Sequence, residues 1–346
     1  MSYPRFADIS RAFAPGWFAA VMGTGVFAMT THSLSLRWSW LALPAEMLHW
    51  FNSILFLVLA VPWLTRWLAF RPAAMQTMMH PVQANFYPTF SIALLVLAAQ
   101  WLTFSPHIEV ALAIWWLGVL IHFVFSFAVV FIMFRGEHVA VDHVTPAHFI
   151  PAVGLVVMPL AGGPLLAHMD GAWREWVLTI NIIGLGAGSM MYLGLFGLAL
   201  HRKYLHKPAH GALTPTIWIH LAPIGAIPVG LMNIVEQLPY PSARETATVL
   251  MLLVWGFGVW WLVIASLLTL SARAAGELPF ALSWWGFTFP VGAFAAESLR
   301  LTKILGWGST FAIGLAAWLL LCFFWTITLV RTARGVASGA IFQPAT

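Results

Sequence analysis

The sequence predicts an all-α integral membrane protein of ten transmembrane helices, arranged as five helical hairpins in a pseudo-fivefold ring. Three observations predict it. Only 8% of the 346 residues are charged while 61% are hydrophobic, against roughly 25% charged in a soluble domain. Apolar runs near 20 residues recur from one end to the other. A proline closely preceded by an aromatic residue or a histidine marks every second run.

The runs give spans at 14–33, 47–66, 87–104, 110–133, 148–168, 175–200, 215–235, 247–270, 283–300 and 307–331. Each is about as long as a helix needs to cross a bilayer. Backbone groups in lipid must bond within the segment, so helices are the expected form. The runs are continuous, whereas a membrane β-barrel alternates apolar and polar over about ten residues. The connectors are short, so residues 1–346 form a single transmembrane domain. The first run holds Pro15 and Gly16 and lacks a small-residue cleavage site, so it reads as a retained helix. One cysteine, Cys322, excludes an intrachain disulfide.

Lys and Arg set the orientation. An even number of spans puts both termini on one side, and that side collects eleven of the sixteen basic residues, among them Arg66, Arg135, Arg202 and Lys203. Both termini are therefore expected in the cytoplasm, with the protein in the cell inner (plasma) membrane. The tryptophans, such as Trp38, Trp40, Trp115 and Trp116, suit interface belts.

The five marked spans begin Phe13-Ala-Pro15, Phe86-Tyr-Pro88, Phe149-Ile-Pro151, His220-Leu-Ala-Pro223 and Phe287-Thr-Phe-Pro290, with their prolines 63 to 73 residues apart. This is a repeat of one hairpin unit. Prolines leave carbonyls unpaired, which is tolerated where neighbours or water satisfy them. The marked helices are thus expected inside, lining a pore, with the plain ones outside. Gly23, Gly25, Gly154, Gly225 and Gly292 follow the prolines and allow close approach or a wider lumen. Three residues before proline stand Ala12, Asn85, His148, His220 and Phe287; one before stand Ala14, Tyr87, Ile150, Ala222 and Phe289. The expectation is a polar collar of Asn85, His148 and His220 at the cytoplasmic mouth, beneath an apolar constriction.

Other polar residues read more plainly. Glu297 and Arg300, three apart on one helix, suggest an ion pair at the outer interface. His122, Asn181 and Asn233 are expected to bond between helices. No Lys or Arg sits deep in a span. Histidines at 138, 143 and 148 are spread around a helix, and those at 201, 206 and 210 adjoin basic residues, so neither group has metal-ligand spacing. Gly23-Thr-Gly25 lacks the strand–turn–helix context of a nucleotide loop. No nucleophile–base arrangement stands out. No enzyme, metal, cofactor or nucleic-acid partner is therefore expected, and the basic loop at Arg202-Lys203 fits anionic membrane lipid.

The first span, Phe13-Ala-Pro-Gly-Trp-Phe-Ala-Ala-Val-Met-Gly-Thr-Gly25, resembles the opening of the tellurite-resistance/dicarboxylate transporter family. That family includes malate and sulfite permeases and slow anion channels. His80-Pro81 with Phe86-Tyr-Pro88 resembles its third span, and Trp284-Trp-Gly-Phe-Thr-Phe-Pro290 its ninth. The resemblance implies a ring of five hairpins around a pore, often as homotrimers, moving small inorganic or organic anions: sulfite, tellurite, nitrate, chloride or a C4-dicarboxylate such as malate. It also implies that Phe289 plugs the pore. The other residues expected along the pore are Phe13, Pro15, Asn85, Phe86, Pro88, His148, Phe149, Pro151, His220, Pro223, Phe287 and Pro290. The anion itself rests on this resemblance. A proton-coupled dicarboxylate carrier and a membrane-embedded sensor or enzyme are the alternatives.

Overall fold

The computed structural model describes residues 3–136, 144–205 and 211–342, and every regular element among them is helical. Short helix α1 (Phe6–Ala12) precedes α2 (Ala19–Ser35) and α3 (Ala42–Ala69). Then come α4 (Arg71–Met78), α5 (Thr89–Phe104), α6 (Ile108–Arg135), α7 (Ile150–Leu165) and α8 (Gly171–Leu205). The chain closes with α9 (Leu221–Val235), α10 (Pro241–Ala274), α11 (Thr288–Leu305) and α12 (Gly308–Ala337).

Eight helical segments are long and apolar enough to cross a membrane, or nine if α1 and the Pro15–Ser35 segment, which meet at 92°, count as one. The ten spans expected from sequence are thus not all met on length and apolarity. The shortfall includes α11, which carries Glu297, Arg300 and Lys303 within its 18 residues.

Neighbours in sequence pack as pairs: α2 on α3, α5 on α6, α7 on α8, α9 on α10, and α11 on α12. The first member of each pair also touches its counterparts, α2 on α5, α5 on α7, α7 on α9, α9 on α11 and α11 on α2, so these contacts run in a closed cycle. Burial follows the same division. The apolar stretches at Gln83–Phe104, Pro146–His168 and Gly211–Val235 are 72 to 89% buried within the protein. Those of α3, α6, α8, α10 and α12 are only 22 to 33% buried and present Leu, Val, Phe and Trp outward. Such a surface is stable against lipid and not against water.

Each helix of the cycle is entered through a 3-10 turn: Pro15–Phe18, Gln83–Phe86, Pro146–Phe149, Gly211–His220 and Leu282–Phe287. The marker prolines stand at or next to these starts. Pro88 is the N-cap of α5, Pro151 is in the first turn of α7, and Pro223 and Pro290 are the third residues of α9 and α11. A first-turn proline costs little, because the missing N–H has no intrahelical partner anyway. The prolines inside the described α-helices are Pro62, Pro159, Pro164 and Pro228. Pro164 cannot donate to the Leu160 carbonyl, and Asn233 of α9 supplies a donor there, its Nδ2 lying 3.2 Å from the Pro159 oxygen and 3.5 Å from that of Leu160.

Glycine sets how near the cycle helices come. A Cβ on Gly225 of α9 would lie 2.5 Å from the Ala293 backbone of α11, and one on Gly23 of α2 would run into the Thr288 hydroxyl. Of the two roles the sequence allowed for these glycines, close approach is the one they serve. Tryptophan ties the outer helices to the inner ones: Trp318 and Trp325 of α12 donate to Thr31 and Thr24 of α2, Trp255 of α10 to Ser298, and Trp115 of α6 to the Met158 carbonyl. Trp115 is fully buried, not part of an interface belt. Its N–H finds a partner inside, which a buried indole requires.

Candidate functional site

A cavity of about 800 Å³ opens at the end of the bundle where the five cycle helices begin. All five contribute: Ala19 and Met22 from α2, Thr89 from α5, Ile150 and Val153 from α7, Ala222 from α9, and Phe289 and Pro290 from α11. The preceding turns add Pro15, Gly16, Phe86, Ile219 and Trp285. Five helix N-termini therefore border one space. The dipole of a helix amounts to about half a positive charge at its N-terminus. It acts here although the first N–H of α2, α7 and α11 is already bonded inside the preceding turn, Ala19 to Gly16, Ile150 to Ala147 and Thr288 to Trp285.

Arg66, near the end of α3, also lines this cavity. It is buried, and its guanidinium donates to the Phe13 carbonyl, to the Ala73 carbonyl at 3.1 Å and to the Thr77 hydroxyl at 2.6 Å. Its Nε has no hydrogen-bond partner among the described residues. Arg11 joins it on the wall, with Asp8 the acidic residue there. The sequence marked Arg66 only as a basic residue at a membrane boundary. The signal it missed is α4, which folds back so that Ala73 and Thr77 meet the guanidinium. A buried cation kept by three acceptors was invisible as a linear pattern.

Of the residues expected along the pore, Pro15, Phe86, Phe289 and Pro290 line the cavity. Phe289 is 3% exposed, at the first turn of α11. The level one residue before proline is well represented on the wall, by Ala14, Ile150, Ala222 and Phe289. Tyr87 is the exception; its hydroxyl donates to the Ala74 carbonyl at 2.5 Å.

The collar expectation is corrected. Asn85, His148 and His220 are not on the cavity wall. The ring of His220 packs among Phe149, Phe196 and Trp261, with centroids 4.4 to 5.2 Å away, toward α8 and α10. His148 Nδ1 accepts the Thr145 N–H at 3.2 Å, and Asn85 donates to the Pro81 carbonyl at 2.9 Å, so both serve their own turns. Phe287 stacks on Phe324 of α12 at 4.5 Å, Phe13 on Trp17 at 5.8 Å, and Phe149 packs on Tyr192 at 5.4 Å. Pro88, Pro151 and Pro223 also lie off the wall. The reason is geometric. Residues two apart on a helix point about 200° from each other, so along a continuous helix one level turns away when the other faces in. Ala12 and Ala14 both reach the wall because the chain bends by 92° between α1 and the Pro15 turn.

Of the polar residues expected to bond between helices, His122 and Asn233 do so and Asn181 does not. His122 of α6 contacts the Ser91 hydroxyl of α5 at 2.9 Å and the Pro151 carbonyl of α7 at 3.0 Å. Asn181 donates within its own helix, to the Val177 carbonyl at 2.8 Å. Arg300 pairs with Glu236 at 2.5 Å, not with Glu297 as the spacing suggested. Glu297 is fully buried on α11, and neither carboxyl oxygen has a partner among the described residues. The histidines at 138, 143, 206 and 210 lie outside the described residues.

Comparison with known proteins places this arrangement. Residues 12–333 match the SLAC1 family, described as voltage-dependent anion channel. The chain is 40% identical over 336 residues to an uncharacterized transporter of Methanocaldococcus jannaschii, covering 97% of both chains. A second uncharacterized transporter of that organism is 38% identical over 331 residues, covering 96% of this chain and 97% of the relative. A sulfite efflux pump of Arthroderma benhamiae is 24% identical over 314 residues, covering 84% of this chain and 82% of the pump. With a match across nearly its whole length and helices that enclose one cavity, the chain belongs to the SLAC1 family of anion channels and transporters.

Proposed function

We propose that the protein passes small anions along the axis enclosed by α2, α5, α7, α9 and α11, with Phe289 as the gate. The observation that carries this reading is the convergence of five helix N-termini on one cavity whose wall also holds Arg66 and Arg11. Half a charge at ~8 Å in a medium of effective dielectric ~20 attracts an anion by ~1 kcal/mol, so five termini supply several kcal/mol. That is enough to offset part of the dehydration cost and weak enough for release. Arg66 shares its charge with three protein acceptors, which keeps it from trapping the ion. The termini come together only on folding, so their summed effect belongs to no single segment of the sequence.

Beyond the cavity the path is closed by the Phe289 ring, which keeps a narrow apolar lumen dry. The substrate class that fits is a small oxyanion such as sulfite, in keeping with the fungal relatives' designation as sulfite efflux pumps. Tellurite, nitrate, chloride and a C4-dicarboxylate such as malate are the competitors to test beside it. The full proposal is a ten-span pseudo-fivefold unit in the plasma (inner) membrane, with both termini and the cavity cytoplasmic, assembled as a homotrimer. Pro15, Phe86 and Pro290 form the cavity wall beside the gate.

The test is anion flux in proteoliposomes. Phe289→Ala should raise flux by about tenfold, corresponding to ~1.4 kcal/mol of barrier removed. A folded variant with unchanged flux would refute the gate.

Glu297 favours a second reading, a proton-coupled carrier. A carboxyl without partners inside a membrane bundle is costly to keep and marks proton relays. If a pH gradient drives anion uptake and Glu297→Gln abolishes that drive while leaving downhill flux, the coupled reading replaces the channel.

A further inference from the structure

A second pocket, of about 310 Å³, lies between the end of α8, the 3-10 turn before α9 and the end of α10. We infer that it binds the phosphodiester headgroup of an anionic membrane phospholipid.

The chemistry of the wall argues for this. Arg202 and Lys203 bring two cations, and Glu277 is the single carboxylate among the lining residues, so the pocket is net positive. Thr214 and Ser271 add hydroxyls, while the Thr216 hydroxyl already donates to the Leu213 carbonyl at 2.7 Å. Arg202 is already oriented, because one of its terminal nitrogens donates to the Val144 carbonyl. Its Nε is buried and has no partner among the described residues. The Nε is closed off from the pocket, so the remaining terminal N–H groups are what a ligand meets, and a phosphate oxygen is the acceptor that a guanidinium fits best.

The surroundings decide between a lipid and a soluble anion. Leu213, Ile217 and Leu268 make the pocket's other walls apolar. Outside it, Leu198, Leu205, Tyr204 and Leu270 of α8 and α10 are exposed on the lipid-facing surface. A ligand here meets polar donors at one end and hydrocarbon at the other, which suits a phospholipid. Basic pockets between membrane helices are used in this way. The volume is at the small end of ligand pockets, enough for a glycerophosphate headgroup with its chains outside.

The location gives the site a consequence. Thr216 lines this pocket and the central cavity alike. Headgroup binding therefore braces the turn that carries Ile219 into the cavity wall and leads into α9.

The experiment measures thermal unfolding of the full-length protein in detergent as lipid is titrated. Phosphatidylglycerol should raise Tm, and phosphatidylcholine should not. Lys203→Gln should weaken the apparent affinity for phosphatidylglycerol about fivefold, the factor one lysine supplies near an anionic headgroup. Glu277→Gln should strengthen it. Should Lys203→Gln fold poorly, Ser271→Leu, which fills the pocket, should abolish the shift. Equal shifts from both lipids, an unchanged titration in Lys203→Gln, or a full shift from inorganic phosphate alone would each overturn the lipid site.

Discussion

The inner and outer helices are made of similar residues and live in different solvents. Inner α7 and α9 are packed against protein on nearly all sides, whereas outer α8 and α10 give most of their surface away. Their glycines show the contrast most directly. On the inner helices, a methyl group at Gly23, Gly225 or Gly292 would meet a neighbouring helix closer than atoms can approach. On α8 and α10, Gly186, Gly194, Gly197 and Gly256 have nothing within 4 Å. On the same two outer helices Gly184, Gly188 and Gly258 do face neighbours, and a Cβ on them would come within 2.5 to 2.8 Å of α7 or α11. Glycine is thus a packing requirement where it faces the inner ring and an unused freedom where it faces out. The cost of a substitution should therefore follow the face on which the residue sits and not the chemistry of the change.

The largest effect is expected at the inner contact. Gly225→Val pushes α9 off the α11 backbone, an overpacking with no flexible side chain to yield, and should cost ~3 kcal/mol or more. Loss of the monodisperse peak on size exclusion would report it, and normal behaviour would break the comparison. Next comes the seam between layers. Gln100 of α5 accepts from Asn52 at 2.7 Å and donates to the His49 carbonyl of α3 at 2.9 Å. Gln100→Leu should cost about 2 kcal/mol by leaving buried partners unpaired, seen as a lower Tm. Phe289→Ala follows, sharpening the contrast on function: flux should rise while stability falls only modestly. The smallest effect belongs to the outer layer, where Gly256→Ala should be neutral or stabilise by up to about 1 kcal/mol through helix propensity. A clear loss of stability there would show that the outer face packs against something more confining than lipid.

Much of the frame was legible in the residues. Runs of apolar side chains gave the helices, and the recurring proline gave the alternation of inner and outer elements, because burial and hydrogen-bond satisfaction are written locally. The candidate site was legible only in part. Phe289 and Pro290 were found by register, while His220 was misplaced by the same register, since the levels were aligned along the axis without asking which way each side chain turned. Arg66 was passed over because its acceptors lie outside its own helix, Ala73 and Thr77 on α4 and Phe13 before α2, and meet it only once the chain folds back. Trp115 was read as an interface residue because a belt tryptophan and a buried one look alike until the partner, the Met158 carbonyl, is known.

By itself the sequence determined that the chain lives in a membrane, where its helices begin, and that five of them share a design. Apolar run length and first-turn proline are properties of short stretches, and short stretches are what a sequence states outright. Only the tertiary structure decided which face of each helix turns inward. It also decided that five weak N-terminal dipoles border one cavity, and that Glu297 has no partner among the described residues while Arg300 pairs across to Glu236. These depend on rotation about helix axes and on contacts between residues as much as hundreds of positions apart, and no local pattern encodes either.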